Sequence, residues 1–207
     1  MTQICRFPVR FDTNARCRPS GAHVGSSLRP ALVNWRTSRR WTSIRKTCGL
    51  QARLKWPNDV LLAGKKLGGV LVESAVDGDQ VKHAIMGIGI NVTMECENIE
   101  QLAAYATSLE ATAQKEVSRD ALLRNLLHEI DSLYLKLRQG QSPLAEWKAL
   151  LDTLDQRVTV SFHEESHTGL AEDVDRVGNL LLRLDDGQLI TLTAGDVTLQ
   201  RPAAKPE

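Results

Sequence analysis

The sequence predicts an α+β fold, in which a mixed or antiparallel sheet with packed helices is followed by a small β-barrel. Apolar segments rich in Val and Leu, separated by tight turns, predict the sheet at residues 52–56, 60–62, 67–73 and 81–92. After Asp155 the pattern changes to alternating apolar and polar residues in five short segments. Closely spaced short strands of this kind are typical of a small barrel.

Three helices are predicted between the sheet and the barrel. The second is the clearest, because Ser118 is a suitable N-cap, Asp120 follows in the first turn and Gly140 can end the helix. Between these residues apolar side chains recur at helical spacing, at Leu122, Leu126, Ile130, Leu133 and Leu137. The segments 99–109 and 143–151 are predicted to be helical as well.

Residues 1–50 differ in composition from the rest of the chain. They contain nine Arg and one Lys against a single acidic residue, Asp12, whereas the whole chain has a net charge of +1. Their hydrophobic periodicity is weak, so we expect no strand or helix beyond fragments such as residues 31–33. We therefore expect residues 1–50 to be disordered or wrongly translated, and the folded domains to begin near residue 51.

The cysteine content and the hydrophobicity of the chain also indicate the cellular compartment. Four cysteines, Cys5, Cys17, Cys48 and Cys96, form no CxxC pair, so neither a disulfide framework nor a structural zinc site is indicated. No apolar run approaches the roughly 18 residues needed to span a bilayer, and no signal-peptide pattern is present. We expect a cytoplasmic protein without a membrane partner.

The segment KWPNDV, residues 55–60, is the strongest candidate for a functional motif. Pro57 stiffens a strand end that carries the amide of Asn58 and the carboxylate of Asp59. The turn that follows leads to GKKLGGVLVE, in which Lys66 lies shortly before two glycines. Such a lysine can bind a carboxylate or phosphate, glycines let a ligand approach the backbone, and a carboxylate can help to hold Mg²⁺. The alternative is a charged hairpin on the protein surface.

A third motif, GIGINV, occupies residues 87–92. Gly87 and Gly89 interrupt an apolar strand, which is typical of a bulge or of a backbone in contact with a ligand. Asn91 lies at the strand end, where an amide can recognise a base or a ribose. The motif is not a Rossmann fingerprint, because no third glycine and no helix follow it.

The run KWPNDVLLAGKKLGGVLVE, followed about a dozen residues later by GIGINV, resembles the signature of the biotin protein ligases. The resemblance covers about residues 51–200. It implies that residues 51–153 are the C-terminal part of a class II synthetase-like catalytic domain, and that residues 154–207 are an SH3-like C-terminal domain. It also implies the function: ATP-dependent formation of biotinyl-5'-adenylate, and transfer of biotin to a lysine of a biotin carboxyl carrier protein.

The resemblance assigns roles to individual residues. Lys66 matches the catalytic lysine that contacts the biotin carboxyl group and the phosphate, and Gly69 and Gly87 match positions that line the biotin pocket. Asn91 matches a nucleotide-contacting amide, and Asn58 and Asp59 match the turn beside the phosphate, with Mg²⁺ reached through Asp59. The carrier belongs to acetyl-CoA carboxylase or a related carboxylase, and a homodimer is left open.

The family's Gly-Arg-rich loop and the helix that precede KWPND are not recognisable in residues 1–50; residues 38–43 echo the loop only faintly. Three interpretations of this segment stay open: a frameshifted or mis-started coding sequence, an Arg-rich targeting segment, or a divergent functional region. The alternative function is accordingly an inactive ligase fragment that retains only partner or carrier binding. No helix-turn-helix is recognisable, so no DNA binding is expected.

The segment HEESH, residues 163–167, fits the zinc-protease pattern HExxH. That chemistry needs both histidines one turn apart on a helix. The preceding segment has strand periodicity and Gly169 follows closely, so we expect a polar hairpin turn of the barrel rather than a zinc site.

Overall fold

The computed structural model describes residues 5–12, 40–77, 80–94, 100–162 and 164–199, with the backbone alone at residues 5–12, 40–41, 74–77, 80–84 and 100. Among the described residues, the chain forms two antiparallel sheets and five helices. The predicted α+β fold is confirmed. None of the described helices has the length and apolar character needed to cross a membrane.

The first sheet has the strand order β1-β5-β4-β3-β2, and every neighbouring pair is antiparallel. Its strands are β1 (Cys5–Asp12), β2 (Ala52–Lys55), β3 (Asp59–Leu62), β4 (Lys65–Asp77) and β5 (Gln80–Ile90). The predicted strands from residue 52 onwards are confirmed. Residues 78 and 79, between β4 and β5 in the sequence, lie outside the described part of the chain.

Helices cover one face of this sheet. They are α1 (Arg40–Cys48), α2 (Glu100–Ala103), α3 (Leu109–Ala113), α4 (Arg119–Arg138) and α5 (Leu144–Lys148). Helix α4 begins as predicted, because the Ser118 hydroxyl accepts a hydrogen bond from the backbone N–H of Ala121. Its apolar residues at helical spacing are buried with those of the sheet, among them Leu122, Leu126, Val70, Met86 and Ile88.

The prediction of one helix over residues 99–109 is wrong, because the chain there divides into α2 and α3. Between them, Tyr105–Thr107 extends beside Lys66: the Lys66 N–H donates to the Tyr105 carbonyl at 2.7 Å, and the Thr107 N–H donates to the Lys66 carbonyl at 3.0 Å. These hydrogen bonds to β4 replace helical ones. The helix predicted over residues 143–151 is shorter than expected and ends at Lys148.

The prediction that the Arg-rich segment has no convincing helix or strand is wrong at two places. Backbone pairing adds β1 to the edge of β5, and residues 40–48 form α1. Ile44 is fully buried and Cys48 nearly so, and they lie one turn apart on the face that packs against α4. Two apolar residues among several cations give too weak a periodicity to reveal the helix. Residues 13–39, which include the fragment 31–33, lie outside the described residues.

The second sheet is a small five-stranded unit with the order β10-β6-β7-β8-β9, also antiparallel throughout. Its strands are β6 (Arg157–Phe162), β7 (Glu165–Val174), β8 (Leu180–Leu184), β9 (Leu189–Leu192) and β10 (Asp196–Leu199). The alternating residues that predicted it form its core, with Val158, Val160, Leu180, Leu182 and Val197 all buried. This confirms the five short strands predicted after Asp155.

Candidate active site

Register places four residues of the predicted motifs in one row across the first sheet. Lys55 pairs with Asp59, Asp59 with Gly69, and Gly69 with Gly89. Residues directly opposite in an antiparallel pair point to the same face. The neighbouring positions Val60, Val70 and Ile88 are buried under the helices. The row therefore lies on the other face of the sheet, away from the helical core.

Three charged groups meet at one end of this row, and we call them the Lys–Asp cluster: Lys55, Asp59 and Lys66. The Lys66 ammonium lies 2.7 Å from Oδ1 of Asp59, and the Lys55 ammonium lies 3.5 Å from Oδ2 of the same carboxylate. The Asp59 side chain is only 13% exposed, whereas Lys66 is 53% exposed. The cluster thus has a shielded anion and a cation that solvent or a ligand can reach.

The two glycines of β4 serve different purposes. A Cβ on Gly68 would lie 2.1 Å from the carbonyl oxygen of Gly89, so no side chain fits there without separating β4 from β5. A Cβ on Gly69 would lie 3.4 Å from Oδ1 of Asp59 and 3.7 Å from the Asn58 carbonyl oxygen, which is near ordinary contact. The fold therefore excludes a side chain at Gly68, whereas it could accommodate a Cβ at Gly69 beside Asp59.

Gly87 extends the same open face of the sheet, although it does not pair with Gly69. Its register partner is Leu71, whose side chain is 61% exposed. A Cβ on Gly87 would lie 3.7 Å from the Leu71 Cβ. Glycines at positions 69, 87 and 89 thus leave this face of the sheet without side chains beside an exposed apolar residue, Leu71.

The two asparagines are held by backbone carbonyl groups close to the cluster. Asn58 donates from Nδ2 to the Val70 carbonyl at 2.8 Å, and Asn91 donates from Nδ2 to the Thr107 carbonyl at 3.1 Å. Thr107 also bonds the backbone of Lys66. The structure therefore brings Asn58, Asp59, Lys66 and Gly69 together, and connects Asn91 to them through Thr107. Sequence reasoning missed Thr107, which belongs to no motif.

The geometry does not favour a divalent cation on Asp59. Both oxygens of this carboxylate already face an ammonium group, at 2.7 and 3.5 Å, and a metal ion would have to displace them. The described residues also contain no group of three or more His, Cys, Asp or Glu side chains that could hold a metal ion. We therefore assign Asp59 to holding Lys66 in place.

The second unit contacts the KWPND turn directly. The Trp56 indole N–H donates to the Gly178 carbonyl of this unit at 3.0 Å. Its backbone N–H donates to Oγ1 of Thr153, which lies in the segment before β6, at 2.9 Å. The Lys55 ammonium donates to the Val197 carbonyl in β10, also at 3.0 Å. Sequence reasoning missed this contact, because nothing local in the sequence shows that β10 lies beside β2.

The described residues of the HEESH segment, 164–167, belong to a hairpin, as predicted. Phe162 pairs with Glu165 across the β6–β7 turn, and Ser166 and His167 lie in β7. His167 is thus in a strand, with its Nε2 3.5 Å from Oε2 of Glu165. His163 lies outside the described residues. A strand cannot present the helical pair of histidines on which the zinc-protease mechanism depends.

Two sequence models of known families match the chain. The model described as the Biotin/lipoate A/B protein ligase family matches residues 20–91, and that of the Biotin protein ligase C terminal domain matches residues 153–199. The chain belongs to the biotin protein ligase family. The first match begins at residue 20, so the family likeness extends into the Arg-rich segment, where the motifs alone showed none.

Named relatives agree with this assignment. The Biotin--[acetyl-CoA-carboxylase] ligase of Mycobacterium tuberculosis is 34% identical over 146 residues, which are 70% of this chain and 52% of the relative. The Bifunctional ligase/repressor BirA of Bacillus subtilis is 30% identical over 147 residues, 70% of this chain and 45% of the relative. The chain therefore spans about half the length of these curated relatives.

Solved structures of the family share the fold. The apo structure of the biotin protein ligase from Aquifex aeolicus superposes with a TM-score of 0.71 at 25% identity, over 84% of this chain and 76% of that chain. The structure of the same organism's ligase in complex with biotin and ATP gives a TM-score of 0.72 at 24% identity, over 95% of this chain and 78% of that chain.

Proposed function

We propose that the chain is a biotin–protein ligase, which forms biotinyl-5'-adenylate from biotin and ATP and transfers biotin to a lysine of a biotin carboxyl carrier protein. The observation that carries the proposal is Lys66. Its ammonium is reachable from solvent and fixed by Asp59, and it stands beside the glycine-lined face of the sheet. The names of the relatives support biotin as the substrate and acetyl-CoA carboxylase as the source of the carrier.

The first step that we assign to this site joins biotin to AMP. A biotin carboxylate oxygen attacks the α-phosphorus of ATP, and the bond to the β-phosphate oxygen breaks, so that pyrophosphate leaves. Negative charge accumulates on the phosphoryl oxygens as this happens. A cation held in place before the reaction stabilises that charge without reorganising. We assign this stabilising role to the ammonium group of Lys66, which Asp59 holds in position.

The second step transfers biotin to the carrier. The neutral ε-amine of a carrier lysine attacks the carbonyl carbon of the mixed anhydride, AMP leaves as the C–O bond breaks, and the amine loses one proton to solvent as the amide forms. The substrate supplies the nucleophile, so no serine, cysteine or histidine of the ligase needs to form a covalent intermediate. We assign Gly69 and Gly87 to the biotin pocket, and Asn58 and Asn91 to polar contacts with the nucleotide. ATP is proposed as the Mg²⁺ complex, with no step assigned to the metal.

A lipoate ligase is the second candidate, because the first family model covers both biotin and lipoate ligases. The two substrates are both carboxylic acids and can undergo the same two steps. The match of residues 153–199 to the Biotin protein ligase C terminal domain favours biotin.

Carrier modification tests the proposal and separates the two candidates. The purified 207-residue chain is incubated with ATP, Mg²⁺ and either biotin or lipoate, together with a biotin carboxyl carrier domain or a lipoyl domain. Intact-mass spectrometry then measures the acceptors. We expect one biotinyl group on the biotin carrier, and none when its acceptor lysine is replaced by arginine. Modification by lipoate alone would favour the second candidate, and no modification of either carrier would contradict the proposal.

A further inference from the structure

We propose that Lys55 is a positioning residue that keeps the charge of Lys66 available for a polyphosphate, and that the second unit holds Lys55 in place for this purpose. The inference deepens the proposed function and rests on it for the identity of the ligand. It concerns a residue of the KWPND motif to which the family resemblance assigns no role.

The charges of the Lys–Asp cluster carry the argument. A single aspartate in contact with a single lysine forms a neutral pair, and an anion approaching such a pair is attracted weakly. In this chain Asp59 is shared: Lys66 contacts Oδ1 at 2.7 Å and Lys55 lies 3.5 Å from Oδ2. The three groups therefore sum to one positive charge. Lys66 is the more exposed of the two cations, 53% against 25%, so the excess charge faces solvent at Lys66.

The position of Lys55 is set from outside the first sheet. Its ammonium donates to the Val197 carbonyl at 3.0 Å, and Val197 itself is buried in the second unit. Trp56, the next residue, is fixed by the hydroxyl of Thr153 and the carbonyl of Gly178. The second unit thus holds Lys55 near the far oxygen of Asp59 and leaves the near oxygen to Lys66.

Binding of inorganic pyrophosphate to the full chain, measured by isothermal titration calorimetry at several KCl concentrations, tests the inference. Lys55→Met leaves Lys66 and Asp59 as a neutral pair, so we expect affinity to fall about fivefold or more and its salt dependence to decrease. Lys55→Arg should retain most of the affinity. Arg53→Met is the matched control, because Arg53 lies two residues earlier in β2 and contacts Asp152 and the Ala149 carbonyl instead of Asp59.

Two further variants distinguish charge balance from structural damage. Lys55→Met combined with Asp59→Asn restores one positive charge, on Lys66, so affinity should return towards that of the unmodified chain. Asp59→Asn alone leaves two cations, and should bind pyrophosphate more tightly than the unmodified chain. If Lys55→Met weakened binding only by damaging the structure, adding Asp59→Asn would not restore the affinity.

Several outcomes would overturn the inference: no binding of pyrophosphate by the unmodified chain, equal affinities for Lys55→Met and Arg53→Met, or weaker binding by Asp59→Asn. Carrier modification is scored separately. Biotin transfer that is unaffected by Lys55→Met refutes the role of Lys55 and leaves the proposed function standing. Pyrophosphate binding that depends on Lys55, in a chain that transfers no biotin, refutes the proposed function and leaves the role of Lys55 standing.

Discussion

At the scale of single residues, the site depends on where one Cβ atom can fit. Gly68 and Gly69 are adjacent in the sequence, but a Cβ would clash with the Gly89 backbone at the first position and make ordinary contact with Asp59 and Asn58 at the second. The sequence predicts that both glycines allow close approach. Only the register of β4 against β5 shows that the approaching group is the sheet's own backbone at Gly68.

Alanine substitution should separate these two roles. We expect Gly68→Ala to destabilise the chain strongly, because the rigid backbone of β5 must move to make room for the added methyl group. The free energy of unfolding should fall by about 3 kcal/mol or more, as it does for other severe packing defects. Gly69→Ala should change the unfolding free energy by less than about 1 kcal/mol and weaken biotin binding instead. Urea denaturation and biotin titration measure the two effects. Equal destabilisation by both substitutions would contradict the assignment.

At the scale of elements, helix α1 shows how the Arg-rich segment takes part in the fold. Ile44 is buried against α4, and Lys46 extends from α1 to the buried carboxylate of Glu129, with 2.6 Å between Nζ and Oε1. A buried carboxylate needs such a partner, because an unpaired charge in the interior is costly. Residues 40–48 are therefore part of the first domain's core, although their composition resembles that of a disordered tail.

Ile44→Ala tests whether α1 contributes to stability. The side chain is fully buried, so its loss should lower the free energy of unfolding by about 2–5 kcal/mol. Arg45→Ala, on the exposed side of the same helix, should have a much smaller effect. Cys48 gives a second measurement, because burial, partly offset by the charge of Lys115, raises the pKa of its thiol and slows alkylation in the folded state. If Ile44→Ala changed neither stability nor Cys48 alkylation, α1 would not be packed on α4.

At the scale of the whole molecule, the second unit is joined to the first by polar contacts as well as by apolar packing. Besides the contacts of Lys55 and Trp56, Lys148 at the end of α5 forms an ion pair with Asp173 in β7, with 2.6 Å between charged atoms. Burial opposes ionisation of Asp173, but hydrogen bonds from Lys148 and from the Val174 backbone outweigh it and lower the pKa of this carboxyl group. This contact therefore depends on pH.

The direction of the pH dependence follows from the lowered pKa. The ion pair stabilises the fold at pH values above the ordinary Asp value of about 3.8, and this contribution is lost as pH falls through the lower pKa of the folded state. Asp173→Asn should therefore lower stability at pH 7, by less than about 1 kcal/mol because the pair is partly exposed. The difference should become smaller as pH falls below about 3.8. Urea denaturation at pH 7 and at a series of lower pH values measures it, with the exposed Glu164→Gln as control. A difference that does not change with pH would contradict the assignment.

A feature of the fold or of the site could be predicted from the sequence when the residues that determine it lie close together in the chain. Ser118, the spaced leucines of α4 and the alternating residues after Asp155 specify their elements within a few residues, and the structure confirms those predictions. The motif residues around Lys66 could also be found, because they are close in sequence. The contact of Lys55 with Val197, 142 positions away, and the splitting of the helix predicted at 99–109 depend on long-range pairing that no local pattern contains.

The most direct test of the central claim, that Lys66 is the cation of the adenylation step, is biotin-dependent exchange of pyrophosphate into ATP. We expect Lys66→Ala to lower the exchange rate by at least about 100-fold, on the order of the loss of one transition-state donor, and to leave thermal unfolding nearly unchanged because the side chain is half exposed. Lys65→Ala is the control, because this neighbouring ammonium instead holds the Ala103 carbonyl, and it should retain most of the exchange rate. Exchange in Lys66→Ala at a rate close to that of the unmodified chain would contradict the role assigned to Lys66.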